Sequence, residues 1–364
     1  MPYGAFKNAI VVFPVCCLHG TTLAQEMFEK HKIYEAYPLH IERSVRAHDM
    51  QIQAAGKATF GQPYYLIVPR LKRWVPGSVV RVAFSGGNAS LYSKIESAAR
   101  IWIGPNAANL KLVFRDSAGH FLEWRSTDKK YSAQIRVSFV TGKNGGYWSL
   151  VGTDSIDRTI SGGAASQASM NLESFDRELP GDWDGTVRHE FGHALGFDHE
   201  HQSPVANCDF RFNDDPGYVK TKDSDGWYKV DAKGRRPGLY TYLGGKANYW
   251  PPAKVDLNLR EVKTTPSFLI GDFDKHSIMK YFYEPAMFVS GAQSVCYSEK
   301  ENTELSPEDV AGVRAAYPDD PGAIQSIIDG NMQTLEKLLA KRDLSPVLTE
   351  SLQLKSVVNF DSGP

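Results

Sequence analysis

The run "HEFGHALGFDHEH" at residues 189–201 constrains this chain more than any other stretch. On a helix, His189 and His193 lie four residues apart and share one face. Two neutral imidazoles at that spacing can take adjacent corners of a zinc tetrahedron. Glu190 stands about 100° round the helix from His189, close enough to reach a water at the metal without ligating the metal itself. Gly196 suits the left-handed conformation that ends a helix. The chain then turns, and His199 returns to supply a third nitrogen. Three protein ligands leave an open position, the mark of a catalytic rather than a structural zinc site. His201 falls outside the spacing and reads as a supporting or surface group.

The surrounding pattern supplies a frame for that helix. "VVRVAF" (79–84) alternates, with Val80, Val82 and Phe84 on one face, as a half-buried strand should. Leu91, Ile95, Ala98 and Trp102 recur at helical spacing, and Gly104-Pro105 stops that helix. Further strands are expected at 110–114, 134–140, 148–152 and 168–172, giving a mixed sheet. The zinc helix is expected from about Thr186 to Gly196, with Val187, Phe191 and Leu195 as its core stripe. Residues 207–275, rich in Gly, Pro, Asp and Lys, read as long loops. "LSPEDVAGVRAAY" (305–317) has Ser306 as N-cap and Pro307 at the first helical position. The fold class is α+β, followed by a helical tail. Within that tail, 323–344 resembles the helix pair of an ankyrin repeat. One such repeat cannot bury its own apolar face, so the tail is expected to pack on the main domain.

Composition excludes some partners. The 364 residues carry a net charge of −1, so no field favours nucleic acid. No apolar run reaches the roughly 18 residues of a membrane span. Lys7, the apolar run 9–18 and "TLAQ" (22–25) have the layout of a secretory signal peptide ending at Ala24. A buried strand is the other reading of that run. Removing 1–24 would take Cys16 and Cys17 with it. Cys208 and Cys296 would remain, either as one disulfide in an oxidising compartment or as two separate thiols.

A second motif joins the first. "SIMKY" (277–281) resembles the tight methionine turn beneath the zinc of metzincin metalloproteases, and "HEFGHALGFDHE" resembles their zinc signature. Glu200, directly after the third histidine, and Tyr281, two residues after the methionine, are similar to the astacin family within that clan. After "HEH" this chain reads "QSP", where animal astacins continue with Arg, which points to a bacterial or fungal relative.

The resemblance implies a two-subdomain zinc endopeptidase spanning residues 71–318. It would have two long helices above a cleft and a loop-rich C-terminal subdomain. Residues 25–70 would be an N-terminal arm or pro-segment, and 319–364 a helical extension. His189, His193 and His199 would hold one catalytic Zn2+, Glu190 would be general base and acid, and Met279 would form an apolar floor. Tyr281 would stabilise the oxyanion, and the strand "YWSLVG" (147–152) would hold an extended peptide by strand addition. Protein or peptide substrates, a secreted location and a monomeric state follow as expectations. No aspartate-switch motif precedes the domain. The alternative is a catalytically silent module that grips polypeptides on the same fold. Such modules usually lose the glutamate, and Glu190 is present.

Overall fold

The computed structural model describes residues 35–55, 68–104, 107–260, 268–269 and 271–360. The signal-peptide expectation for 1–24 lies outside them. In chain order the elements begin with α1 (Leu39–Ala55), β1 (Val68–Pro69), β2 (Val79–Phe84), α2 (Ala89–Ala99), β3 (Lys111–Val113) and β4 (Ile135–Ser138). Next come β5 (Tyr147–Ser149), β6 (Met170–Leu172), α3 (Trp183–Ala194), β7 (Thr221–Lys222) and β8 (Tyr228–Lys229). The chain continues with α4 (Leu239–Tyr242), α5 (Pro252–Leu259), β9 (Phe268–Leu269), α6 (Pro307–Ala316), α7 (Pro321–Leu339) and α8 (Pro346–Phe360).

The main sheet is mixed, in the order β3-β2-β4-β6-β5. Strands β3, β2, β4 and β6 run parallel, and β5 pairs antiparallel to β6 at one edge. The alternation in β2 behaves as read from the sequence. Val80, Val82 and Phe84 join the core beneath the helices, whereas Ala83 packs with Trp124 and Ala133 in a separate cluster. Leu91, Ile95 and Ala98 of α2 and Val187 and Phe191 of α3 close over the first face. The architecture is α+β. No helix among the described residues is long and apolar enough to cross a membrane.

A second apolar cluster gathers the C-terminal half of the domain around Phe210, Leu239, Trp250, Tyr283, Phe288 and Cys296. Cys296 is disulfide-bonded to Cys208 across 88 positions, with Cα atoms 5.4 Å apart. In the chain-entropy account, closing a loop of that length stabilises the fold by at most about 4–5 kcal/mol. Of the two readings of these cysteines, the bridge is the one the fold contains.

Four sequence expectations change. The zinc-motif helix starts three residues earlier than read, at Trp183, and ends at Ala194; Gly196 follows at φ +100°. The region 207–275 is less irregular than its composition suggests, because it contains the β7–β8 ribbon and the eight-residue α5. In the tail, the segment resembling an ankyrin pair is mostly one helix. α7 runs through Gly330 without a break, and its partner α8 begins only at Pro346. The stretch 25–70, expected only as an N-terminal arm or pro-segment, contains the seventeen-residue α1. Its buried residues Ile41, Val45, His48, Ile52 and Ala55 follow a helical stripe.

Candidate metal centre

The site sits where the two apolar clusters meet. Helix α3 brings His189, Glu190 and His193 from the first. The turn at 277–281 crosses over, with Ile278 and Met279 in the first cluster and Tyr281 in the second. That turn is fixed from below by α6. Ser306 and Asp309 form a capping box, and the same Asp309 carboxylate accepts from the Ser277 hydroxyl at 2.6 Å and the Ile278 amide at 2.9 Å. A helix cap thus doubles as the anchor of the methionine turn.

Each of the three histidines meets an oxygen atom through its far nitrogen. His189 Nδ1 lies 2.6 Å from the Ile278 carbonyl, and His193 Nδ1 lies 2.7 Å from the Phe197 carbonyl. A carbonyl can only accept, so both Nδ1 atoms carry a proton and both Nε2 atoms turn inward, where each can offer a lone pair to a metal when its ring is neutral. His199 Nδ1 faces Gln202 Oε1 at 3.4 Å, and the Gln202 amide is itself tied to the Leu257 and Arg260 carbonyls. The Nε2 atoms of His193 and His199 approach to 3.0 Å. A tetrahedral ion with bonds of about 2.1 Å needs donors roughly 3.4 Å apart, so the His193–His199 pair is close to the spacing a zinc-sized ion requires.

The fourth group was not found in the sequence. Glu35, four residues before α1, places its carboxylate against all three rings: 2.9 Å from His189 Nε2, 3.1 Å from His193 Nε2 and 3.5 Å from His199 Nε2. These four side chains can hold a metal ion, since one donor atom from each lies within 4.8 Å of the others. Burial opposes ionisation of Glu35, but the charges of His189 and His193 override it and hold the carboxyl well below its ordinary value. The segment is tied down on three sides. Tyr281 donates its hydroxyl to the Glu35 carbonyl at 3.1 Å, Tyr37 donates to Ser149 of edge strand β5 at 2.9 Å, and Lys254 donates to the Tyr37 carbonyl at 2.9 Å.

Glu190 is fully buried, and neither carboxyl oxygen has a hydrogen-bond partner. Burial and the neighbouring Glu35 carboxylate push its pKa well above the ordinary range. The Tyr281 ring lies 4.4 Å from that of His199 and 5.6 Å from that of His189. Burial, then the Glu35 charge, raises its phenol well above 10, so it stays a donor at neutral pH. His201, read as a supporting or surface group, is wholly buried. It stacks 5.1 Å from His199 and 4.8 Å from Tyr281, with Nε2 2.9 Å from the Asn258 carbonyl.

Met279 forms the floor under the helix, and Gly192 is what admits it. A methyl on Gly192 would stand 2.3 Å from Met279 Sδ and 2.8 Å from Trp102. Overpacking of this kind costs about 1–3 kcal/mol, more than the roughly 0.5–1 kcal/mol that alanine gains over glycine inside a helix. Gly192→Ala is therefore expected to lower the urea midpoint of unfolding. A midpoint at or above wild type would show that the floor yields freely.

Fold and site together define an α+β protein with a three-histidine, one-glutamate cluster able to hold a metal ion. The structure is similar to that of myroilysin, with a TM-score of 0.52 and 30% identity over 70% of this chain and 99% of that one. The chain belongs to the myroilysin family. A second myroilysin structure matches at 27% identity and a TM-score of 0.40, covering 68% of this chain and 86% of that one. No protein-family model and no curated protein sequence matches the chain.

Proposed function

We propose that this chain is a zinc-dependent endopeptidase that hydrolyses peptide bonds in proteins. The observation that carries the reading is the convergence of three Nδ1-anchored imidazoles beside a buried, unpartnered glutamate. The resemblance of residues 71–318 to metzincins, and among them to the astacins, agrees with it. Zinc held by His189, His193 and His199 would lower the pKa of water toward 7 and polarise a carbonyl. Glu190, its pKa raised by burial, takes a proton from the attacking water and returns it to the leaving amine. Tyr281 donates its hydroxyl to the oxyanion that forms at the scissile carbonyl. Antiparallel edge strand β5 offers its free side to an extended substrate. The Cys208–Cys296 bridge suits an oxidising, extracellular setting.

In the intact chain the Glu35 carboxylate stands against all three histidines, and Tyr37 is bonded to strand β5. The arm occupies both the open metal position and the start of the substrate edge. It must leave before substrate can enter, so the intact chain is the closed form. The test is hydrolysis of an unfolded protein such as casein by zinc-loaded Glu35→Ala, followed by the appearance of new amino termini. Activity lost to a chelator and restored by zinc supports the proposal. Zinc-loaded protein that binds casein without cutting it would favour the silent polypeptide-binding module.

A further inference from the structure

We infer that the C-terminal hairpin of α7 and α8 is a latch that holds helix α1, and through it Glu35, over the metal centre. The inference rests on the reading of Glu35 as the group that closes that site.

Helix α1 is held in place by packing, since most helical stability in proteins comes from the tertiary packing of one face. It packs on two different supports. Its first half, through Ile41 and Val45, lies against Trp148, Leu150 and Ile160 beside strand β5. Its second half, Ile52 and Ala55, is buried with Leu335 and Leu338 of α7 and Leu348 and Leu352 of α8. The catalytic domain adds little more than the partly buried Leu71 to that second cluster. Without the tail, the C-terminal half of α1 would lie open to water.

Polar contacts join the same three parts. The hydroxyl of Ser351 on α8 is fully buried. It meets His48 Nε2 of α1 at 2.7 Å and donates to Asp157 of the loop after β5. Lys355 of α8 reaches Asp154 of that loop at 3.0 Å. Asp154 also pairs with Lys72 at 2.8 Å, and Lys72 pairs with Asp49 of α1 at 2.8 Å. Ser345 donates to Gln51 of α1 at 2.7 Å, and Arg158 pairs with Glu350 at 2.5 Å. The tail is therefore bonded to the catalytic domain and to α1 at once. Such a bridge accounts for a helix pair that cannot bury its own apolar face. Only three residues separate Glu35 from the first turn of α1, so any slackening of the helix reaches the carboxylate.

The test compares the zinc-loaded full chain with Ser351→Ala/Leu352→Ala, which loosens the latch, and with Val357→Ala, an exposed change on the same helix. Two quantities are read: hydrogen exchange of the amides of residues 39–55, and the rate at which a chelator strips zinc. The latch variant is expected to speed both at least tenfold, and Val357→Ala neither. In a Glu35→Ala background the latch change should no longer affect stripping, because the gate it acts through is gone. Faster exchange confined to 321–360, with 39–55 unchanged, would make the tail a mere appendage. Faster exchange in 39–55 without faster stripping would equally overturn the latch. A chain that binds no zinc would defeat the metal reading instead, while exchange in 39–55 would still decide whether the tail holds α1.

Discussion

Glu190→Gln is expected to abolish peptide hydrolysis while leaving zinc bound at one ion per chain. The amide keeps the shape of the side chain but cannot accept a proton from water. Positioned acid–base groups contribute roughly 10²–10⁴ in rate, and here one group serves both transfers. The burial of Glu190 lets the substitution probe chemistry alone, since neither carboxyl oxygen holds any part of the fold. Kinetics are best read in the Glu35→Ala background, where the arm's carboxylate does not mask the effect. A mutant retaining more than about a tenth of the background rate would remove Glu190 from the proton transfers.

The second large effect is expected from Tyr281→Phe. The phenylalanine ring preserves packing against His199 and His201 and loses only the hydroxyl. If that hydroxyl serves the oxyanion, kcat and kcat/KM fall together by about 10²–10³ with KM and zinc content nearly unchanged. In the closed chain the same hydroxyl donates to the Glu35 carbonyl, so the Glu35→Ala background again isolates the catalytic role. Unchanged kcat would leave Tyr281 as a packing residue that fastens the arm. The three-histidine centre would stand regardless.

The sequence made the centre legible because its candidate ligands are local. His189, Glu190 and His193 are fixed by one helical turn, and His199 by the glycine that ends it. Met279 and Tyr281 were legible through a five-residue turn. Glu35 was not, because a lone carboxylate 154 positions before His189 has no spacing to betray it. A signal did exist nearby: the stripe Ile41, Val45, His48, Ile52 marks a helix that needs a surface to lie on. What that surface is depends on contacts between the two ends of the chain, which no local pattern encodes. The strands of three or four residues were legible as short strand-like runs, but the sheet order β3-β2-β4-β6-β5 is set by long-range pairing. Gln202 was likewise invisible, since its role follows from where the Leu257 and Arg260 carbonyls fall.

His189, His193, His199 and Glu35 are expected to hold one zinc ion together. X-ray absorption at the zinc edge of the purified chain, with metal content measured on the same sample, decides whether they do. The expected result is one zinc per chain in a shell of three imidazole nitrogens and carboxylate oxygen, with the oxygen contribution altered in Glu35→Ala and the metal lost in His199→Ala. A sulfur-containing shell, or full zinc occupancy in His199→Ala, would contradict it.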